Sequence, residues 1–476
     1  MPARHRILLA ALLAGNALAF AGVDAVTRLA TAIVVLLLMV DSRTLPEVPG
    51  PARWAALSFA VLIVVQLVPL PAFARQFLQP GFAEVMPAGW YSLSLAPWAT
   101  LETGASVVVA AGIALAATRI AATRSGLPAL LAMLAATCGL LAVLGLLGEG
   151  GAPERVLLVR ANTGGGGVYG PFVNSNHFAA AIELSLPAAL VLLAVAARNL
   201  ARRGEARQRA AVVVLAAAVV TVTAAAAILR SGSRGGVLFL ALALAATAPL
   251  WMRRRNGRRW WAWGAGIVGL AIVAGSLAWT RVPALRDGFA DLMLVEGVEG
   301  NTRWDLWAGT VRSFGRSPLI GSGLGSYPYV IGLDKPATGT AVLEQAHNDW
   351  LEWLSTAGLA GAAVLALLVA AVVALLRPRR VRRLRHELRY PLAGAALALA
   401  ATALHEGVGF GLQTPLNLYL LATWIGLVFG IAARLAAARE RRDRTENRAL
   451  IRDAGAEPAI GGDDAGGGDR GGGGSE

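Results

Sequence analysis

The sequence predicts an all-α polytopic membrane protein of about 12 transmembrane helices, and three observations predict it. Hydrophobic residues make up 56% of the 476-residue chain and charged residues only 15%, against about 25% charge in a soluble domain. Mean hydropathy is +0.59. The apolar residues gather in runs close to the length that crosses hydrocarbon, with short basic clusters between them. A net charge of +14 on one surface would suggest nucleic acid. Divided among short loops it is what membrane topology requires, and no nucleic-acid partner is read from it.

Crossing about 30 Å of hydrocarbon takes about twenty apolar residues, or fewer with tilt and snorkelling ends. Such runs lie near 7–22, 25–40, 54–70, 104–118, 127–147, 176–197, 210–228, 235–252, 260–279, 350–376, 391–408 and 416–437. The first also has marks of a secretory signal, with Arg4 and Arg6 ahead of it and Ala17-Leu18-Ala19 resembling a cleavage site. The eleven runs that follow favour an uncleaved first helix. Cys138, the single cysteine, lies within an apolar run, so no disulfide or cysteine metal site forms within the chain.

The loops set the orientation. Lys335 is the only lysine, so arginine carries the signal. Alternate connections hold Arg4/Arg6, Arg43/Arg53, Arg119/Arg124, five arginines in 198–209, five in 253–259, seven in 377–389 and seven in 434–452, 30 basic residues on one side against 11, Lys335 included, on the other. Short basic loops stay in the cytoplasm, which puts both termini there. Residues 1–438 then form the polytopic domain, with 281–346 as its large outer loop between the ninth and tenth spans. Residues 439–476, charged and then rich in Gly and Asp, read as a disordered cytoplasmic tail. Of the other outer segments, 71–103 carries Trp90, Tyr91 and Trp98, which suit an interfacial belt, and 148–175 contains the Gly164–Gly167 run.

Polar groups gather at the outer mouths of several spans. In Gly170-Pro171-Phe172-Val173-Asn174-Ser175-Asn176-His177-Phe178, Asn174 or Ser175 can cap the helix that follows. Asn176 and His177 then fall in its first turn, where free N–H groups favour an anion. A cap with an interfacial histidine explains the same residues. Arg230-Ser231-Gly232-Ser233-Arg234-Gly235-Gly236 places two arginines at an outer boundary, against the charge trend. They either snorkel to lipid phosphate or form an anion site, in which guanidinium forks match phosphate oxygens and glycines let backbone amides approach.

Arg303-Trp304-Asp305 and the Pro318–Tyr327 glycine run lie in the large outer loop. The run superficially resembles a dinucleotide fingerprint but has no βαβ unit around it, and reads as a turn before a short amphipathic element. His347, with Asn348 or Asp349 as cap, opens the span near 350–376; a neutral imidazole there can take a proton, or can serve as part of a cap. His405-Glu406 and Gln413-Thr414-Pro415 occupy the turn between the last two spans. Glu183 and Glu406 are costly in lipid and should face a cavity or a partner.

Taken together, Gly170–Phe178, Ser233-Arg234-Gly235, Arg303–Gly325, Ala346–Gly358 and His405–Pro415 resemble, in order, the motifs of the O-antigen ligase and O-antigen polymerase superfamily of bacterial membrane glycan enzymes. The resemblance covers roughly residues 165–425. It implies a multi-pass protein of the bacterial inner membrane that transfers glycan from an undecaprenyl-diphosphate donor at the periplasmic face, without metal or cofactor. The acceptor it implies is lipid A core for a ligase, a growing glycan for a polymerase, or a protein. By motif, the diphosphate-holding arginines fall on Arg234 and Arg303 and the base on His347. Arg281, Arg286, Arg312 and Arg316 share the loop of Arg303, and Arg230 neighbours Arg234. Asn174, Asn176, His177, Arg230, Asn348 and His405 complete the expected substrate-binding set.

No pair of carboxylates of glycosidase type is evident, so the expected step is a single inverting displacement. The other class of function this composition allows is a transporter of an anion or lipid-linked saccharide. A transporter calls for paired broken helices around a midplane site. The unusual residues here cluster instead at the outer ends of spans.

Overall fold

The computed structural model describes residues 3–40, 48–85, 88–148, 155–157, 159–162, 167–251, 303–334 and 343–454. The expected span at 260–279 and the outer-loop residues 281–302 lie outside these. The chain divides into two units, 1–433 and 434–476.

The first unit is helical, with a two-stranded hairpin at Arg155–Val156 and Arg160–Ala161. Its helices are α1 (Ala3–Leu18), α2 (Ala25–Val40), α3 (Gly50–Leu67), α4 (Ala72–Leu78), α5 (Pro97–Ala121), α6 (Gly126–Leu147), α7 (Ser175–Asn199), α8 (Glu205–Ser231) and α9 (Arg234–Trp251). They continue with α10 (Arg303–Arg316), α11 (Asp349–Leu376), α12 (His386–His405) and the start of α13 (Pro415–Ala454). Among the described residues, seven helices are long and apolar enough to cross a membrane: α3, α5, α6, α7, α8, α11 and α13. α2 and the first part of α9 are shorter apolar helices. The α1 and α12 helices also coincide with expected runs.

The second unit holds the charged end of α13, where Arg442–Glu446 and Arg444–Glu440 pair one turn apart at 2.6 and 2.9 Å. Helix persists to Ala454, past residue 439, where these i,i+4 pairs support an exposed helix; residues 455–476 lie outside the described ones.

α7 is the hub of the first unit, buried over most of its length and packed on α6, α8, α9 and α12. Small residues let the neighbouring backbones close in. A Cβ at Gly426 or Gly430 of α13 would sit 2.3 or 2.4 Å from the Ala114 or Thr118 carbonyl oxygen of α5. This is a small-xxx-small contact, packed by close approach because lipid supplies no hydrophobic drive between helices. Polar ties add to it: Asn16 donates to Thr31 across α1 and α2 at 3.0 Å, and Arg28 pairs with Glu102 of α5. The arginine inside the second run is therefore matched by a carboxylate.

The glycine run of 318–325 forms an insertion whose residues 321–324 are buried. It lies along α11 where that helix breaks at Gly358, whose φ is 64°. Ser322 N–H donates to Ser355 at 3.1 Å, and Leu359 N–H donates to Pro318 at 2.8 Å. Gln66 of α3 holds the loop with both ends of its amide, donating to Ile320 O at 2.8 Å and accepting from Leu324 N–H at 3.1 Å. Gly321 and Gly323 adopt φ of 76° and 109°, and a Cβ at either would sit 2.3 Å from Thr356 or Ser94 atoms. Both requirements call for glycine. The element that follows, Tyr327–Val330, is a single helical turn.

Candidate active site

Four helices, α7, α9, α10 and α11, are tied to the segment that joins α12 to α13, residues 405–414. Each of its ties is made by a motif the sequence singled out.

The first tie is to α7. Asn174 caps this helix, its Oδ1 accepting from the N–H groups of Asn176 and His177 at 2.8 and 3.3 Å. That settles which residue caps and commits the Asn174 oxygen. His177 Nδ1 lies 3.2 Å from Thr414 Oγ1, and its ring meets Phe410 edge-on with centroids 4.4 Å apart. His177 Nε2 is buried without a hydrogen-bond partner among the described residues. Two turns further along α7, Glu183 places both carboxylate oxygens 2.9 Å from His405 Nδ1. The partner expected for this buried acid is thus His405.

The second tie is to α9. A Cβ at Gly235 would stand 2.8 Å from His405 Nε2, so the imidazole rests directly on the first turn of that helix. Gly236 packs as closely on Ala179, and Ser233 Oγ donates to Asn176 Oδ1 at 2.9 Å. The turn that carries Arg234 is held between α7 and α12, while Arg234 itself is exposed. Arg230 is also exposed and donates to the Gly148 carbonyl at the end of α6, not to the 405–414 segment.

The third tie is to α10. Arg303 Nη1 donates to Val408 O at 2.7 Å. Its loop companions are occupied elsewhere. Arg316 forks onto Asp334 at 2.9 and 3.1 Å, which raises the Arg316 pKa, and Arg312 donates to the Asp334 carbonyl at 2.7 Å. Arg281 and Arg286 lie outside the described residues.

The fourth tie is to α11. Asn348 caps it, with Oδ1 accepting from Trp350 and Leu351 N–H at 3.1 and 3.0 Å. Asp349 N–H reaches the carbonyls of Glu406 and Gly409, both at 3.0 Å. The Asp349 carboxylate accepts from Leu412 N–H at 3.1 Å and from the Gln413 amide at 3.2 Å. His347, just ahead of the cap, is half-buried with its ring edge-on to Phe410, centroids 4.6 Å apart. Burial, and then the charge of Arg303, lower its pKa to about 4. It is therefore neutral at pH 7, with a lone pair free to take a proton.

The structure thus brings His347, Arg303, His177 and His405 to one short segment, with the Arg234 turn packed against its start. Asn174, Asn176 and Asn348 are there as ties and caps. Phe410, the ring both His177 and His347 touch, was not anticipated. A lone Phe among apolar residues gives no signal in sequence. Glu352 was missed as well. It accepts from Ala346 N–H at 2.8 Å and so fixes the residue before His347.

These features define a multi-pass helical membrane protein whose arginine and histidine motifs converge where span ends meet. Residues 219–366 match the family model described as O-antigen ligase, a similarity that supports the O-antigen ligase superfamily and glycosyl transfer of that general type. The matched segment includes Arg230, Arg234, Arg303, His347 and Asn348 but not Asn174, Asn176, His177 or His405. No curated protein matches the chain.

Proposed function

We propose that this chain transfers a glycan from an undecaprenyl-diphosphate donor to an acceptor hydroxyl at the periplasmic face of the bacterial inner membrane. The acceptor is a glycan, lipid A core or protein. The observation that carries the reading is the meeting of Arg303 and His347 on the 405–410 segment, through Val408 O and the Phe410 ring. A cation and a neutral imidazole side by side, with the Arg234 turn packed alongside, are what a diphosphate leaving group and a hydroxyl nucleophile need.

In this reading, His347 takes the proton of the acceptor hydroxyl. The freed oxygen attacks the anomeric carbon, and the bond from that carbon to the diphosphate oxygen breaks with inversion. The lipid diphosphate leaves with its new charge against Arg303 and Arg234. Charge stabilisation at a partly water-excluded site is the largest contribution such a site makes. Arg303 also couples donor binding to base strength. Its charge is one of the two causes holding His347 near 4, and a bound diphosphate cancels that repulsion, so His347 is a better base once the donor is seated.

Arginine's planar fork, not charge alone, is required. Arg234→Lys and Arg303→Lys should each lower transfer about a hundredfold, the equivalent of about 3 kcal/mol, read as surface glycan on a gel from cells with equal membrane insertion. Near-normal glycan from both variants overturns the reading in favour of arginines that merely snorkel.

A further inference from the structure

The far end of α7 carries a second site. Residues 177 and 199 are 22 positions apart in one helix, which at 1.5 Å per residue sets them about 33 Å apart. Around Asn199 an open cavity of about 730 Å³ lies between α6, α7 and α8. Its wall is apolar: Pro128 from α6, Leu192, Val195 and Ala196 from α7, Val213 from α8. Its rim is basic, with Arg202, Arg203 and Arg209, all exposed, in the connection and first turn of α8.

Arg209 is partly neutralised by Glu205 at 2.8 Å. Arg202 and Arg203 have no carboxylate within ion-pair distance among the described residues. The rim also includes the head of a long helix. No side chain caps α8 at Gly204, and the hydrogen bonds to the Gly204 carbonyl begin only at Arg207 and Gln208. That leaves the Glu205 and Ala206 amides at the helix head, where an anion is favoured. Beside the cavity, α8 exposes Val212, Leu215, Val219 and Val222 in the manner of a surface that faces acyl chains.

We infer that this cavity binds an anionic phospholipid, its phosphate at the Arg202/Arg203 rim and the α8 head, and an acyl chain along the Leu192–Val195–Val213 wall. A soluble anion would use the rim but not the wall, and a zwitterionic lipid would use the wall but gain little from the rim. The combination selects a ligand with both parts. The site is independent of the proposed transfer reaction.

The test is native mass spectrometry of the purified full chain, titrated with dioleoyl phosphatidylglycerol and with dioleoyl phosphatidylcholine, which has the same chains. A basic residue near an anionic headgroup contributes about 1 kcal/mol, or roughly fivefold. The Arg202→Gln/Arg203→Gln double variant should therefore bind phosphatidylglycerol about 25-fold more weakly, with phosphatidylcholine binding unchanged. Val213→Trp, which fills the wall and leaves the arginines alone, should also weaken phosphatidylglycerol. Equal affinity for the two lipids in the wild type, or a double variant that holds phosphatidylglycerol as the wild type does, overturns the proposal. So does displacement of the lipid by inorganic phosphate at micromolar concentration, which would mark a soluble-anion site.

Discussion

His347 occupies a backbone conformation that glycine prefers, with φ of 50°. Left-handed backbone costs a residue with a Cβ about 1–2 kcal/mol. At an ordinary position, the extra chain entropy makes glycine about 0.5–1 kcal/mol less stable than alanine. The two effects oppose each other here and strain wins, so His347→Gly should be more stable than His347→Ala by about 1 kcal/mol, the reverse of the usual order. Both variants lose the ring and its contact with Phe410, so the comparison isolates the backbone. For a chain of this size the difference is an apparent melting shift of about 1–2 °C, measurable by thermal unfolding of the two purified proteins in one detergent. Transfer should fall by about 10² to 10⁴ in both, as for a lost general base. Strain persists at a site only when its surroundings impose it. Here Trp307 and Glu352 hold the carbonyl and the amide of Ala346 at 3.1 and 2.8 Å, and the Asn348 cap follows. An alanine variant as stable as the glycine one, or more so, refutes the strain argument; wild-type transfer by either removes His347 from the chemistry.

Other outcomes follow from the same contacts. Gly235→Ala puts a methyl 2.8 Å from His405 Nε2 and should displace the Arg234 turn, lowering stability by about 1–3 kcal/mol and transfer with it; a fully active variant would show that the contact is slack. Glu183→Ala leaves His405 without its buried partner and should cost about 2–3 kcal/mol, whereas Glu183→Gln, which keeps an acceptor oxygen, should cost less; equal melting temperatures for the two argue against the pair. Because the folded His347 pKa, about 4, lies below the unfolded value of about 6.5, the unfolded chain binds the extra proton. His347 thus contributes stability that is present above about pH 6.5 and is lost as pH falls toward 4. His347→Gln should therefore lose less melting temperature than the wild type between pH 7 and 4, and parallel curves would contradict the shift.

What the sequence made legible follows from periodicity and local chemistry. Apolar runs at 25–40, 127–147 and 176–197 became Ala25–Val40, Gly126–Leu147 and Ser175–Asn199, because twenty apolar residues in lipid have few alternatives to helix. Caps were narrowed to a pair of residues at each site, and the structure chose Asn174 and Asn348, since a short amide two or three residues ahead of free N–H groups has one obvious use. Partners distant in sequence stayed hidden. Nothing near Gln66 shows that its amide holds a loop more than 250 residues on, and nothing near Gly358 shows that α11 breaks there to admit that loop. At the charged end of α13, composition alone does not distinguish a solvated helix from a disordered tail until the i,i+4 partners are placed.

The segment 405–414 shows why the site needed the fold. Its residues lie beyond the matched stretch 219–366, and the sequence pattern, which marks His405 and Glu406, assigns no role to Val408 or Phe410. Yet Val408 O receives Arg303, Phe410 separates His177 from His347, His405 seats the Arg234 turn against Glu183, and the carbonyls of Glu406 and Gly409 pin the start of α11. Four of these contacts use backbone or an unremarkable ring, which a sequence motif does not encode. Arginine and histidine motifs far apart in the sequence act together only if some element fixes their distance. Rigid span ends supply that only when they are joined at the mouth. The segment joins them, so change there should disturb Arg234, Arg303 and His347 at once, while change at any one of the three leaves the others in place.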